Sequence, residues 1–215
     1  TNTGATLLKT GPSVFTLAGP ISQVSTTYVY NGTLVVNTVM TNPVSIVSVG
    51  PGNFPTLGGT GVVGHVTTTG VGPRIAPGAT ASTPSYGKLT VASLNLGPGA
   101  ALQAELSGTN IGVNMDQLES TGGVNLAGGF ANFTAFGVGA TSNRYAVVKS
   151  ASPVAGTFLN DPEGDYLFPA AGRMMVITYL TAGGNEITLI EQPGGNLGNF
   201  SISTIARQTN GNITL

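Results

Sequence analysis

The sequence predicts an all-β fold, and three observations support this prediction. Short runs that alternate apolar and polar residues, or that are rich in β-branched residues, recur along the 215 residues and are bounded by Gly, Pro or Asn. No window of helical length keeps apolar residues at i, i+3, i+4 and i+7 without an interrupting Gly or Pro. The 33 Gly residues supply the tight corners that short strands need.

The predicted strands follow one another along the whole chain. In order they are Ser13–Leu17, Thr33–Asn37, Ser45–Val49, Leu89–Val91, Leu94–Leu96, Leu102–Leu106, Val124–Leu126, Tyr145–Val148, Met175–Tyr179 and Ile187–Ile190. Strands this short, with Gly-containing corners and small polar residues between them, favour a solenoid of parallel rungs. An antiparallel β-sandwich stays open as the alternative, because a strand spacing of about 8–12 residues is typical of sandwiches too.

Charged residues make up only 7% of the chain, against about 25% in an ordinary soluble domain, and the formal net charge is −1. Nucleic acid and anionic lipid both select clustered Lys and Arg, so neither is an expected partner. Without Cys there is no disulfide, thiolate zinc site or cysteine nucleophile. No apolar run reaches the roughly 18 residues of a membrane helix, so membrane insertion is not expected.

Catalytic residues are not predicted, and we expect the chain not to be an enzyme and to carry no cofactor. A Ser-His-Asp arrangement would need His65, the only histidine, which a solvent-facing strand position explains better. Glycoside hydrolysis needs two carboxyl groups that flank a sugar bond. Glu105, Asp116 and Glu119 are the nearest candidates, but the several acidic and basic residues typical of a polysaccharide-cleaving face are missing.

One stretch concentrates acidic residues, from Asn160 to Asp165. Asp161, Glu163 and Asp165 place carboxylates at alternate positions beside Gly164, and Ca²⁺ prefers such oxygen ligands. The spacing matches neither an EF-hand loop nor the repeating pattern of calcium-binding β-rolls. We therefore favour a solvated turn over a calcium site.

At its beginning the chain resembles a known repeat. The stretch 4–19, with Lys9-Thr10-Gly11, followed by the stretch 28–37, with Gly32-Thr33-Leu34, is similar to one autotransporter-associated β-strand repeat. Later segments resemble the region that follows the last such repeat in large secreted bacterial proteins. These segments are Leu57–Gly64, Ile75–Gly78, Gly87–Val91, Gly122–Leu126, Gly156–Phe158, Pro162–Gly164, Ile177–Tyr179 and Gly183–Leu189.

The resemblance covers most of residues 1–192 and implies a right-handed parallel β-helix exported from a bacterium. Known roles in the family are passenger stalks, surface adhesins and extracellular fibres. The chain departs from the family by having a single recognisable repeat and by carrying Gln23–Thr27 in place of a Gly-Gly-Thr turn. Because Asn42-Pro43 and Gly50-Pro51-Gly52 interrupt it, we expect the region Val39–Pro55 to be irregular.

These observations divide the chain into a β-helix at 1–192, a Gly-rich linker at 193–199 and a C-terminal strand or hairpin tail at 200–215. The tail reads as two strands on either side of Asn210-Gly211, the second cut short. In related precursors this region begins a further β-sandwich module, so the tail is expected to be the start of a truncated module. The opening at Thr1, without a Met or a signal segment, indicates a processed or excised piece of a longer precursor.

Neither end of the predicted solenoid carries an obvious cap, and an open strand edge templates association. A non-closing contact between copies gives a filament, either head to tail or by adding a tail strand to a neighbour. The leading hypothesis is a secreted, extracellular structural protein that polymerises with itself. The expected assembly residues are Thr6, Leu7, Leu8, Phe200, Ile202, Ile205 and Ile213. The alternative is a monomeric adhesin or passenger stalk that binds a surface glycan or protein.

Overall fold

The computed structural model of the chain describes residues 4–19, 21, 24–78, 84–126, 128–137, 142–170 and 173–192, and two short strands in the tail. The described residues form strands and no α-helix, so the all-β prediction is confirmed. The strands are β1 (Ala5–Lys9), β2 (Val14–Leu17), β3 (Val24–Val29), β4 (Thr33–Val36), β5 (Val39–Met40), β6 (Val44–Val47), β7 (Thr56–Gly59), β8 (Val62–Thr69), β9 (Arg74–Pro77), β10 (Lys88–Asn95), β11 (Ala101–Leu106), β12 (Gln117–Ser120), β13 (Val124–Asn125), β14 (Phe130–Ala135), β15 (Arg144–Ser150), β16 (Tyr166–Ala170), β17 (Arg173–Thr181), β18 (Glu186–Glu191), β19 (Ala206–Arg207) and β20 (Ile213–Thr214).

The chain passes back and forth between two sheets. The larger sheet has the order β1-β3-β6-β8-β10-β12-β15-β18-β17-β16, with β5 beside β8 and β13 beside β10. The smaller sheet has the order β2-β4-β7-β9-β11-β14. Pairing is parallel throughout the smaller sheet and from β1 to β15 in the larger one. Two open sheets of parallel strands are compatible with a β-solenoid and unlike the antiparallel alternative.

Successive rungs differ in length. The pairing partner along the smaller sheet lies 18 residues on from Thr56, at Arg74, but 29 residues on from Ala101, at Phe130. The rung from Ala101 to Phe130 contains an excursion between strands at 107–116. Because this excursion leaves the strand positions aligned, the sheets stay regular although the rungs differ in length.

Columns of apolar side chains keep the rungs in register. One column of the smaller sheet runs through the inward residues of five neighbouring strands, namely Leu34, Leu57, Ile75, Leu102 and Ala131. A column of the larger sheet contains Val44, Val66, Leu94 and Val124. All of these residues are buried. Burying each large apolar side chain stabilises the fold by about 1.5–3 kcal/mol, and a one-residue slip would turn it outward.

The corner after β7 depends on a glycine. Gly59 has a φ of +111°, and a Cβ atom added there would lie 2.2 Å from the carbonyl oxygen of Val36 in the preceding rung. That distance is shorter than any real contact of a Cβ atom. The rungs can therefore stack at this corner only when position 59 has no side chain.

The larger sheet ends in an antiparallel meander, in which β15 pairs with β18, β18 with β17, and β17 with β16. A buried ion pair fastens this meander, because Arg173 Nη2 lies 2.7 Å from Glu191 Oε2. The Tyr145 hydroxyl donates to the same carboxylate oxygen at 2.8 Å. Burial alone would raise the pKa of Glu191, but hydrogen bonds from Arg173 and Tyr145 outweigh it and hold that pKa below its usual value.

Several predicted strands have different bounds in the structure. Leu89–Val91 and Leu94–Leu96 belong mainly to one strand, β10, because both halves pair with β8. The region Val39–Pro55, expected to be irregular, contains β5 and β6 and is without strand structure at 48–55. Strand β8 contains His65, for which a strand position was expected, whereas β9, which ends at Pro77, was not among the predicted strands.

Candidate functional site

The predicted assembly residues Thr6, Leu7 and Leu8 lie on β1, the edge strand of the larger sheet. Within the described residues β1 pairs with β3 alone, in a parallel register that places Leu8 beside Tyr28. The side chain of Leu8 points away from the core and Leu8 is 56% exposed. The outer edge of β1 therefore offers backbone groups to which a further strand could pair.

Strand β2 is the matching edge of the smaller sheet, and sequence reasoning missed its role. Phe15 lies over the fully buried Leu34 of the next rung, yet it is 46% exposed because no described strand lies on its other side. Phe15 continues the buried apolar column of Leu34, so the apolar core is exposed to solvent at this end of the smaller sheet. We call the edges of β1 and β2 with Leu8 and Phe15 the open end.

Lys9 links the first two turns of the chain at the open end through hydrogen bonds. Its ammonium group donates to the carbonyl oxygen of Asn31 at 2.8 Å and to that of Gly11. Burial lowers the pKa of Lys9. These hydrogen bonds join the turn between β1 and β2 to the turn between β3 and β4. Strands β1 and β2 therefore form an ordered edge.

The far end of the smaller sheet is covered, contrary to the expectation that both ends lack a cap. The Ala131 amide of the edge strand β14 donates to Asn160 Oδ1 at 2.9 Å, and Asn160 Nδ2 donates to the Ala131 carbonyl at 2.9 Å. The Leu159 amide also donates to the Gly129 carbonyl at 2.8 Å. Asn160 thus takes the place of a further strand, a role that its position in an acidic turn does not reveal.

The far edge of the larger sheet is β16, the last strand of the meander. Tyr166 and Phe168 are exposed on it, but Pro169 has no N–H to donate to another strand. Proline on an edge strand is a common protection against edge-to-edge pairing. The described stack therefore has one open end and one protected end.

The tail residues predicted to assemble are only partly described. Phe200, Ile202 and Ile205 lie outside the described residues. Ile213 belongs to β20, whose backbone pairs antiparallel with β19, Ile213 opposite Arg207. This pairing agrees with two strands on either side of Asn210-Gly211.

The three acidic residues weighed as a calcium site have separate surroundings. Glu163 Oε2 accepts a hydrogen bond from the Tyr179 amide at 2.6 Å, and Asp165 Oδ1 accepts one from the Tyr166 amide at 2.9 Å. Asp161 is 6% exposed, and burial together with the charge of Asp165 raises its pKa to about 6. Across the described part of the chain, no three His, Cys, Asp or Glu side chains are grouped as a metal site requires.

The residues considered for catalysis have structural surroundings. His65 is exposed on β8, with Nδ1 2.7 Å from Ser93 Oγ of β10. Glu119 pairs with Lys88 at 2.6 Å on the surface. Asp116 is buried and accepts hydrogen bonds from the amides of Gly87 and Glu105, each at 2.8 Å. Burial raises the pKa of Asp116 to about 7 in spite of these bonds.

No protein-family model matches the chain, and no curated protein matches its sequence. In the described part of the chain, no residue lies in a helix long and apolar enough to cross a membrane.

Proposed function

We propose that the chain is a right-handed parallel β-helix from a secreted bacterial structural protein, and that it assembles with further copies through the open end. The observation that carries the proposal is the unpaired edge at β1 and β2, where Phe15 exposes the continuation of the core and Leu8 exposes an apolar side chain on the outer face. Unpaired strand edges with apolar side chains favour the addition of a strand.

The occupant that we propose for the open end is the tail of a second copy. The far end is protected by Asn160 and Pro169, which disfavours direct stacking of one rung on another. The tail alternates apolar and polar residues at Phe200-Ser201-Ile202-Ser203, as a strand with one buried face does. Adding the tail of one copy to the open end of the next is a heterologous contact, which builds a filament.

Scarcity of charge supports the same proposal. In stacked parallel strands equal positions lie directly above one another, so like charges would repel, whereas Thr, Ser and Asn can stack without that cost. One column on the outer face of the larger sheet contains Tyr28, Ser45, Thr67 and Asn95, and Ser45 Oγ lies 3.2 Å from Thr67 Oγ1.

The test is sedimentation velocity and electron microscopy of the full chain at rising concentration. We expect filaments from the unaltered chain and monomers from Leu8→Lys, which places a charge at the open end, and from Phe200→Ser with Ile202→Ser. Val113→Lys, at an exposed apolar residue on the 107–116 excursion, is the matched control and should assemble normally. A chain that stays monomeric, or that stops at a discrete dimer, would overturn the filament proposal.

A monomeric stalk is the second candidate, and the protected far end favours it because caps of this kind keep solenoids from stacking. Its partner would be a surface glycan or protein. Reproducible hits on a glycan array, together with a monomeric mass in solution, would favour the stalk over the fibre.

A further inference from the structure

The peptide bond between Asp161 and Pro162 lies in the loop between β15 and β16, and it is the only Asp-Pro bond in the sequence. The carboxyl group of an aspartate can close a five-membered ring on the carbonyl carbon of its own residue, so the nucleophile is already in place. The leaving nitrogen belongs to a tertiary amide without an N–H. This loop therefore contains both a scissile bond and a group that can break it.

The carbonyl oxygen of the Asp161–Pro162 bond accepts a hydrogen bond from a side-chain hydroxyl. Tyr179 Oη donates to the Asp161 carbonyl oxygen at 2.6 Å. The Phe158 amide donates to Tyr179 Oη at 3.0 Å, which leaves the hydroxyl proton for Asp161. When a nucleophile attacks a carbonyl carbon, negative charge develops on the oxygen, and a donor already in place stabilises that charge. Tyr179 thus supplies an oxyanion donor at the scissile bond.

The carboxyl group of Asp161 retains its proton more readily than an ordinary aspartate. Asp161 is 6% exposed, and burial together with the charge of Asp165 raises its pKa to about 6. In the described residues the titratable groups that face it are Asp165 and Glu163 of its own loop and Tyr179 of β17, while β14 and β16 contribute no charged side chain. At pH 5.5 the group is therefore mostly protonated in the folded protein and mostly ionised in the unfolded chain. This proton is the one that a leaving nitrogen must receive.

Water reaches Asp161 through an open depression between β14 and β16. The polar residues Asn132, Asn160 and Asp161 are part of its lining. An intermediate formed at Asp161 is therefore accessible to hydrolysis.

We propose that the folded chain cleaves itself between Asp161 and Pro162. A carboxyl oxygen of Asp161 attacks the carbonyl carbon of the same residue, and the Tyr179 hydroxyl stabilises the resulting oxyanion. The C–N bond to Pro162 then breaks, and the prolyl nitrogen takes the proton of the carboxyl group. The cyclic anhydride left on Asp161 reacts with one water molecule, which gives a C-terminal Asp161 and an N-terminal Pro162. The two pieces stay together because β18 pairs with β15, and the cleavage is independent of the proposed assembly.

The experiment follows the full chain by denaturing mass spectrometry during incubation at pH 5.5, both folded and unfolded in urea. We expect the fragments 1–161 and 162–215 to form at least about tenfold faster from the folded chain, because protonation alone favours the folded state by roughly fortyfold at this pH. The rate from the folded chain should fall as the pH rises through about 6. A chain that stays intact, or a ratio of folded to unfolded rates below about tenfold, would overturn the proposal.

Two variants test the roles of the reacting groups. Asp161→Glu should abolish cleavage at this bond, because the longer side chain no longer closes a five-membered ring. Tyr179→Phe should slow cleavage by at least about tenfold, because the carbonyl oxygen loses its donor. Cleavage of the Asp161→Glu chain at the unaltered rate, or an unchanged rate in Tyr179→Phe, would contradict the mechanism.

The matched control is Asp165→Asn, which removes a charge from the same loop and keeps both the nucleophile and the hydroxyl. It should retain the maximal rate but move the midpoint of the pH profile to lower pH, because the charge of Asp165 raises the pKa of Asp161. An unmoved midpoint would show that Asp161 is not the group whose protonation sets the rate. If Tyr179→Phe fails to fold, this shift and the comparison of folded with unfolded chain decide.

Discussion

Replacing Asp116 by Asn should remove its pH-dependent contribution to the free energy of unfolding. Asp116 is 2% exposed and joins the two sheets, because Oδ1 accepts from the Gly87 amide before β10 and Oδ2 accepts from the Glu105 amide in β11. Burial, and to a lesser degree the charge of Glu105, raises the pKa of Asp116 from 3.8 to about 7. The folded protein therefore holds a proton on this group at pH values where the unfolded chain has released it.

The sign and size of the pH effect on stability follow from the difference between the pKa of Asp116 in the folded protein and in the unfolded chain. Between pH 3.8 and 7 Asp116 binds more protons in the folded state than in the unfolded state, so its contribution to stability is full in acid and is lost as the pH rises through this window. At about 1.4 kcal/mol per pKa unit, the loss attributable to Asp116 is about 4 kcal/mol between pH 4 and pH 8.

The assay is urea unfolding of the unaltered chain and of Asp116→Asn at pH 4 and at pH 8. Asparagine keeps one acceptor and loses one amide hydrogen bond, which costs about 1 kcal/mol at either pH. The difference in unfolding free energy between the two proteins should therefore shift by about 4 kcal/mol in favour of Asn on going to pH 8. Asp161 is present in both proteins, so its own titration cancels in the difference.

The matched control is Glu119→Gln, which neutralises a partly exposed carboxylate that pairs with Lys88 on the surface. Exposed pairs contribute at most about 1 kcal/mol, so this variant should track the unaltered chain across the pH range. If the difference between Asp116→Asn and the unaltered chain is the same at pH 4 and pH 8, the reasoning about the buried carboxylate is refuted.

Two further predictions concern the corners and the protected end. Gly59→Ala should lower the free energy of unfolding by about 3 kcal/mol or more, because its Cβ would overlap a backbone carbonyl of the preceding rung. Gly52→Ala, also at positive φ but with no atom within 4 Å of the added Cβ, should cost only about 1–2 kcal/mol in the same urea assay. Asn160→Ala should cost about 1–3 kcal/mol and speed hydrogen exchange at the Ala131 amide, and unchanged exchange there would show that Asn160 does not cap β14.

Of the candidate site, only the β1 edge could be predicted from the sequence. Leu7 and Leu8 stand out in the sequence as an apolar pair near the beginning of a repeat, and the structure places them on an edge strand. Phe15 could not be recognised, because it occupies an inward position that would be buried if another strand lay over it. Asn160 could not be recognised either, because its partner Ala131 lies 29 residues away along the chain.

Local pattern was sufficient to determine that the chain is all-β. Alternation of apolar residues, β-branched composition and Gly-rich corners act within a few residues, so runs such as Thr33–Asn37 and Leu102–Leu106 identify strands without knowledge of their partners. That nucleic acid and anionic lipid are not partners stays a prediction from composition, because both select clustered Lys and Arg and the chain has only 7 such residues.

Only the tertiary structure decided how the strands pair and which polar groups are buried. Parallel pairing from β1 to β15, and antiparallel pairing in the meander, depend on contacts between residues in successive turns of the chain. The burial of Asp116 and Asp161, and the difference between the open and protected ends, follow from the same long-range contacts. Burial depends on what the rest of the chain places around a side chain, and no local pattern carries that information.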